Sequence, residues 1–374
     1  MGRRVAALTI AALGAALDRS LVHVFVAGPG YGEGIAIALP GRGWLLIDGC
    51  ETRDGELPLM AILERWRLPD EPIDAVLLTH PHADHAYGLR ELIETTRPLR
   101  VGITTSPAEP ERVFRVFGVS APRRAPRGAS RVLEGMLALR SRFDAAPQTL
   151  LALVDGTSIP LSGSSSQAHV RAPDPGIVDE LLSAGDPVDS NQLSAVIELV
   201  FGATRIVLGS DLPTTSPGGR VLPGGWSAVM ARHPELGVHA GLKIPHHGSP
   251  AAFHAALMTA GSGRAWWISP FNRGRRLPPT GPDGVSRLVA LNGEVALTAS
   301  PRRRDQQSRH PDAGIVRLAE LAALFAPPAG TSAGALLATP PTLAPLDPLW
   351  CGAFDDQGAL RGTWRGERAF AVVA

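Results

Sequence analysis

Thr79-His80-Pro81-His82-Ala83-Asp84-His85 (THPHADH, residues 79–85) is the stretch whose reading decides the fold. Three imidazoles and a carboxylate fall between residues 80 and 85. His80 and His82 lie two apart on what reads as a short loop, so both rings can reach one cation. Asp84 and His85 are adjacent and can turn toward a second cation beside the first. Imidazole and carboxylate donors suit zinc, and also manganese or iron where carboxylates are numerous. The competing reading is a solvated polar loop that carries histidines by chance. Context weighs against it. Residues 75–79 form an apolar run of buried-strand type, and residues 89–95 have helical spacing. Loops that leave the carboxyl ends of strands are where layered α/β folds build their sites.

Working outward, residues 21–26, 35–39 and 44–47 read as strands. Gly28, Pro29, Gly30, Gly32 and Gly34 punctuate the first turn, and Asp48-Gly49 closes the third strand. Residues 57–66 have helical spacing, closed by Pro69. Downstream, residues 150–154 and 168–172 are strand-like, and 196–200 with 205–208 read as a hairpin across Gly202-Ala203. Residues 241–244 form a strand that runs into His246 and His247. Strands at 265–269 and 294–298 complete the pattern. This divides the chain into a leader or short helix (1–20), a main domain (21–300) with an Arg-rich insertion (106–146), and a Pro/Ala-rich linker with a C-terminal hairpin (301–374).

Composition narrows the function. The chain has 374 residues, 44% hydrophobic and 19% charged, with a formal net charge of +1. That is a globular balance, with no global field favouring nucleic acid or a membrane surface. Cys50 and Cys351 are the only cysteines, so there is no disulfide framework and no zinc–thiolate site. No apolar run reaches bilayer-spanning length, so no stable membrane insertion is expected. Arg3 and Arg4 precede an Ala-rich apolar stretch that resembles a weak secretory signal. The alternative, a short helix before the first strand, fits a cytoplasmic protein.

The pattern HxHxDH after a buried strand resembles the signature of the metallo-β-lactamase superfamily. Asp48 in LLIDG, Asp211 in IVLGSDL and His247 in KIPHHGS follow in that family's order. The resemblance implies an αββα sandwich, two mixed β-sheets face to face with outer helices, and two divalent metal ions, Zn or Mn, at one edge. It assigns His80 and His82 to the first metal and Asp84, His85 and His247 to the second. Asp211 bridges, and Asp48 orients a ligand from behind. Further details are similar to the hydrolase domain of bacterial competence DNA-uptake channel proteins: the opening VHVFVAGPGYGEG, the segment Asn191–Ser194 and the His-His-Gly-Ser motif. That branch is thought to cut nucleic-acid phosphodiesters. There are departures. No histidine stands at the expected place between His85 and Asp211, which loosens the preference for zinc. His169 lies too early and reads as structural. Ser210 replaces the usual glycine before the bridging aspartate.

The expected activity is therefore a phosphodiesterase or nuclease, using a hydroxide bridged by two metals, with DNA or RNA as candidate substrates. Asp84, His246 and Asn191 are the candidate catalytic residues. His246 is suited to a phosphoryl oxygen or the leaving group, unless it merely packs beside Pro245, and Asn191 to a substrate or water contact, unless it is a turn residue. Which of His246 and His247 is the ligand rests on the family's preference for the histidine before Gly. Lys243 faces either an anionic substrate or solvent. The Arg-rich insertion is either a phosphate-binding lid or paired surface charge, and Arg273, Arg275 and Arg276 are better placed for phosphate. Trp266 and Trp267 read as core. Other readings stay open: hydrolysis of a lactone, thioester or β-lactam; a metal-containing scaffold that holds a protein partner through its C-terminal region; and redox chemistry at a di-iron site, which would need a flavin partner domain.

Overall fold

The computed structural model describes residues 7–29, 32–52, 54–118, 131–184, 189–216, 218–261, 263–270, 284–299, 315–318, 320 and 344–373. The first half of the chain contributes strands β1 (Leu8–Thr9), β2 (Val22–Ala27), β3 (Gly34–Ala38), β4 (Trp44–Ile47), β5 (Ile73–Leu78), β6 (Arg100–Ile103) and β7 (Leu150–Ala152). Then come β8 (Ser158–Ile159), β9 (Gln167–Ala172), β10 (Val196–Phe201), β11 (Thr204–Leu208), β12 (Gly241–Lys243), β13 (Ala265–Ile268), β14 (Glu294–Leu297) and β15 (Ile315–Arg317). The last are β16 (Leu349–Phe354), β17 (Leu360–Arg365) and β18 (Phe370–Val373). They form two mixed sheets, in the orders β1-β17-β16-β2-β3-β4-β5-β6-β7 and β15-β18-β14-β13-β12-β11-β10-β9-β8. The C-terminal hairpin thus joins the first sheet between β1 and β2, and β18 joins the second. The Trp350 indole ties the sheets together by donating to the Leu297 carbonyl at 2.9 Å.

The layering explains the near-continuous apolar strands, which are buried on both faces. In β2, Val22, Val24 and Val26 face the space between the sheets, where they meet Ile197, Leu199, Ile206 and Leu208 of the second sheet. Phe25 and Ala27 face the other way, onto Leu59, Ile62 and Leu63 of α1 (Pro58–Trp66). The period of two also separates the adjacent tryptophans. Trp267 enters the space between the sheets, and Trp266 packs outward with Val229 of α2 (Trp226–Arg232) and Leu288 of α3 (Val285–Asn292). Both are core, as their strand pattern predicts.

The sequence reading placed no strand over 100–103, where Gly102 interrupts a four-residue run. It also missed α2, α3 and the helix Pro175–Ser183, although the last carries a legible start signal. Asp174 caps it by accepting from the Gly176 N–H at 2.8 Å, with proline at its first position.

β4 and β5 run parallel, as do β11 and β12. After their carboxyl ends come Asp48, His80, Asp211 and His246, respectively, so the topology gathers four separate sequence motifs.

Candidate metal centre

The site rests on backbone that few residues adopt. Among the described residues, five non-glycines have left-handed φ, and four of them are Asp48 (58°), Ser210 (45°), His246 (48°) and His247 (52°). Such conformations persist only where the surroundings enforce them. Two glycines let neighbouring chain approach the metal-loop backbone. A Cβ on Gly32 would lie 2.3 Å from the Asp84 carbonyl oxygen, and one on Gly49 would lie 2.3 Å from that of Tyr87. The Gly49 N–H donates to the His85 carbonyl at 2.7 Å, and the Glu33 N–H to that of Asp84 at 3.0 Å.

The structure brings Asp84, His85, Asp211 and His247 together, with one donor atom from each lying within 4.8 Å of the others. His247 Nε2 is 3.3 Å from Asp84 Oδ2 and 3.4 Å from Asp211 Oδ2. His85 Nε2 is 3.5 Å from Asp211 Oδ2. Beside them, His80 Nε2 and His82 Nδ1 converge to 3.1 Å. Partners behind the rings set the tautomers. His85 Nδ1 is 2.7 Å from Asp48 Oδ2, and His247 Nδ1 is 2.8 Å from the Ser269 carbonyl. Each Nδ1–H thus donates backward, which turns each Nε2 into the site.

Does this set suit a cation? His85 Nε2 and Asp211 Oδ1 are buried with no hydrogen-bond partner, a costly arrangement unless something else satisfies them. The field has the right sign. Burial would lower the His247 pKa, but Asp211, Asp84 and Glu33 raise it to about 10. His85 is likewise held well above the usual imidazole range, because Asp211, Asp48 and Asp84 outweigh burial. Burial would raise Asp211, yet His247 and His85 hold it well below the usual carboxylate range. A field that draws protons onto buried imidazoles also draws divalent cations. His80 behaves oppositely. Its own burial, then His85, depresses it, so its ring stays neutral and able to ligate.

The two neighbouring histidines differ in position. His247 lies within the cluster of candidate ligands and is 7% exposed. His246 stands at its edge, its side chain 28% exposed, with Nε2 3.9 Å from Asp211 Oδ2. Its Nδ1 is buried without a hydrogen-bond partner. Asn191 follows Asp189 in a 3-10 turn, and its Oδ1 is likewise buried and unpartnered. The turn is tied to the metal loop, since the Ala195 N–H donates to the Thr79 carbonyl at 3.0 Å. His169 does turn away. Its ring nitrogens lie 3.3 Å from Ser158 Oγ and 3.4 Å from Gln167 Oε1.

Lys243 corrects the sequence reading on both counts. It faces neither substrate nor solvent: it is fully buried, with Nζ 2.5 Å from Glu33 Oε2. Glu33 was missed. Its carboxylate also lies 3.3 Å from His247 Nδ1. The signal was available, an acid held between Gly32 and Gly34, where only the glycines were read. The described arginines of the insertion have partners on the surface: Arg112 and Arg115 pair with Glu109, Arg131 with Glu134, and Arg140 with Asp144. Arg142 donates to the Pro98 carbonyl. Arg123, Arg124, Arg127, Arg273, Arg275 and Arg276 lie outside the described residues.

The family model of the metallo-beta-lactamase superfamily matches residues 28–143, a span that includes Asp48 and the whole THPHADH loop. This chain carries a metallo-β-lactamase superfamily domain. Its two mixed sheets with outer helices are consistent with the sandwich fold of that superfamily, which includes metal-dependent hydrolases. Solved structures similar to the chain include the di-zinc class B3 metallo-β-lactamase LRA-12 from an Alaskan soil metagenome. It is 16% identical over 57% of this chain and 68% of that one, with a TM-score of 0.30. An archaeal metallo-β-lactamase superfamily protein from Sulfolobus tokodaii is 12% identical over 57% and 75%, with a TM-score of 0.29. The diiron β-hydroxylase CmlA from Streptomyces venezuelae is 15% identical over 50% and 28%, with a TM-score of 0.24. No curated protein matches the sequence. Among the described residues, no helix is long and apolar enough to cross a membrane.

Proposed function

We propose that this metallo-β-lactamase-fold protein is a phosphodiesterase, with DNA or RNA as the substrate class. The observation that carries the metal-dependent hydrolase part of the reading is the pair of adjacent donor groups. His80 and His82 would hold one cation. Asp84, His85 and His247 would hold the other, with Asp211 between the two. When bound, two divalent ions neutralise a phosphodiester's charge, clamp the oxygens of an in-line displacement and lower the pKa of a water toward 7. The donor set is nitrogen and oxygen only, which suits zinc or manganese.

The chain's own residues supply the rest. Asp48 holds His85 in the ligand tautomer through the 2.7 Å contact to Nδ1. His246, half inside the site, is placed to donate to a phosphoryl oxygen or hand a proton to the leaving oxygen. The first cation position would lack a third histidine, and Asn191, in the turn tied to the Thr79 carbonyl through Ala195, would supply a polar contact there instead. That gap, with the Asn191–Ser194 and His-His-Gly-Ser segments, supports the likeness to the competence-type hydrolases, and the phosphodiester class rests on that likeness.

The test is hydrolysis of bis-p-nitrophenyl phosphate and of labelled single-stranded DNA, double-stranded DNA and RNA. The protein is stripped of metal and reloaded with zinc or manganese, with Asp84→Ala as the control. Cleavage that needs metal and is lost in the variant is the expected result. Two bound cations without cleavage of any of these substrates would refute the phosphodiester class.

A further inference from the structure

We propose that Ser210 is a positioning residue, which extends the influence of Asp48 from the second cation site to the first by fixing the tautomer of His80. The inference rests on reading His80 and His82 as cation ligands.

His80 is fully buried and presents Nε2 toward His82 Nδ1. For Nε2 to offer a lone pair, Nδ1 must carry the proton, and that proton needs an acceptor. Two hydroxyls face Nδ1: Thr79 Oγ1 at 3.2 Å and Ser210 Oγ at 3.4 Å. Their own protons are committed elsewhere. The Ser210 hydroxyl donates to Thr79 Oγ1 at 2.7 Å, and the Thr79 hydroxyl donates to Asp48 Oδ2 at 2.8 Å. Both oxygens are therefore left as acceptors for the His80 Nδ1–H. Asp48 Oδ2 also takes the His85 Nδ1–H, and Oδ1 takes the Thr79 backbone N–H at 2.7 Å. One carboxylate thus orients a histidine on each side of the site, His85 directly and His80 through two hydroxyls.

The backbone supports a side-chain role. Ser210 has φ 45°, where glycine is unstrained and serine is not. Its carbonyl accepts the His246 N–H at 2.7 Å, a contact that glycine would keep. What serine alone supplies here is the hydroxyl.

The experiment uses Ser210→Gly and Ser210→Ala in the full chain. Each cation is titrated into metal-stripped protein against a chelator of known affinity, with zinc and manganese as probes, and 15N NMR of the histidine rings reports the tautomers. For wild type, two cations and a His80 ring protonated on Nδ1 are expected in the folded protein. In both variants one cation should bind 10–100-fold more weakly, the usual loss when a partner behind a ligand is removed, while the other is unchanged. The His80 resonances should show mixed tautomers, and Ser210→Gly should melt no lower than wild type. Unchanged affinity at both sites, or equal weakening of both, overturns the inference. A wild-type protein that binds no cation overturns the ligand reading beneath it.

Discussion

Replacing Glu33 with glutamine removes the charge but keeps the shape, and so strands Lys243. Both side chains are out of solvent, at 1% and 0% exposure, with Nζ and Oε2 2.5 Å apart. Nζ otherwise donates only to the neighbouring Ile244 carbonyl, at 3.1 Å, among the contacts described. An ammonium left buried without its counter-charge costs about 3–5 kcal/mol. Unfolding entropy of about 2.1 cal/mol/K per residue gives a chain of 374 residues roughly 0.8 kcal/mol/K at the midpoint. Glu33→Gln should therefore lower Tm by about 4–6 °C. The double variant Glu33→Met/Lys243→Met should recover most of that loss, because it removes both desolvation penalties and keeps the volume. Calorimetry on metal-stripped protein keeps ligand binding out of the comparison. A double variant no more stable than either single one would show that the loss is not an unpaired charge, and would refute the reasoning.

Two other outcomes follow from local geometry and from ionisation. Gly32→Ala puts a Cβ 2.3 Å from the Asp84 carbonyl, so the metal loop must move. Stability should fall by about 1–3 kcal/mol and cation affinity with it, and unchanged metal content on chelator titration would contradict this. The second concerns His239, whose Nδ1–H donates to the Leu236 carbonyl at 2.9 Å while Nε2 accepts from the Trp266 indole at 3.1 Å. That neutral form is locked, and burial lowers its pKa to about 4. The unfolded chain, with an ordinary imidazole, binds the extra proton first, so stability is complete above about pH 6.5 and lost as pH falls toward 4. The loss should reach about 2 kcal/mol by pH 5. Denaturant titrations of wild type and His239→Gln at pH 7 and pH 5 check it; the two should converge by that amount, and a constant gap would refute it.

Sequence alone determined the donor types and their local spacing. THPHADH, GSD and PHHGS each carry side chains that make little sense in a solvated loop, and strand periodicity placed each at the end of a strand. Two-sided burial wrote the sandwich into the chain as apolar runs, such as VHVFVA, and even into the Trp266–Trp267 pair. Tertiary structure alone decided what lies behind those candidate ligands. Glu33 and Lys243 are distant in sequence, one unread among turn glycines and the other at a strand end. They become a buried ion pair only when β12 is laid beside the β2–β3 turn. Asp48, Thr79 and Ser210 come from three motifs, and no spacing rule links hydroxyls across 131 residues. Left-handed φ at Ser210, His246 and His247 is equally invisible, because residue type gives histidine only a mild bias toward it and serine none. Short-range chemistry is legible along the chain, but a hydrogen-bond relay is a property of the packed layers.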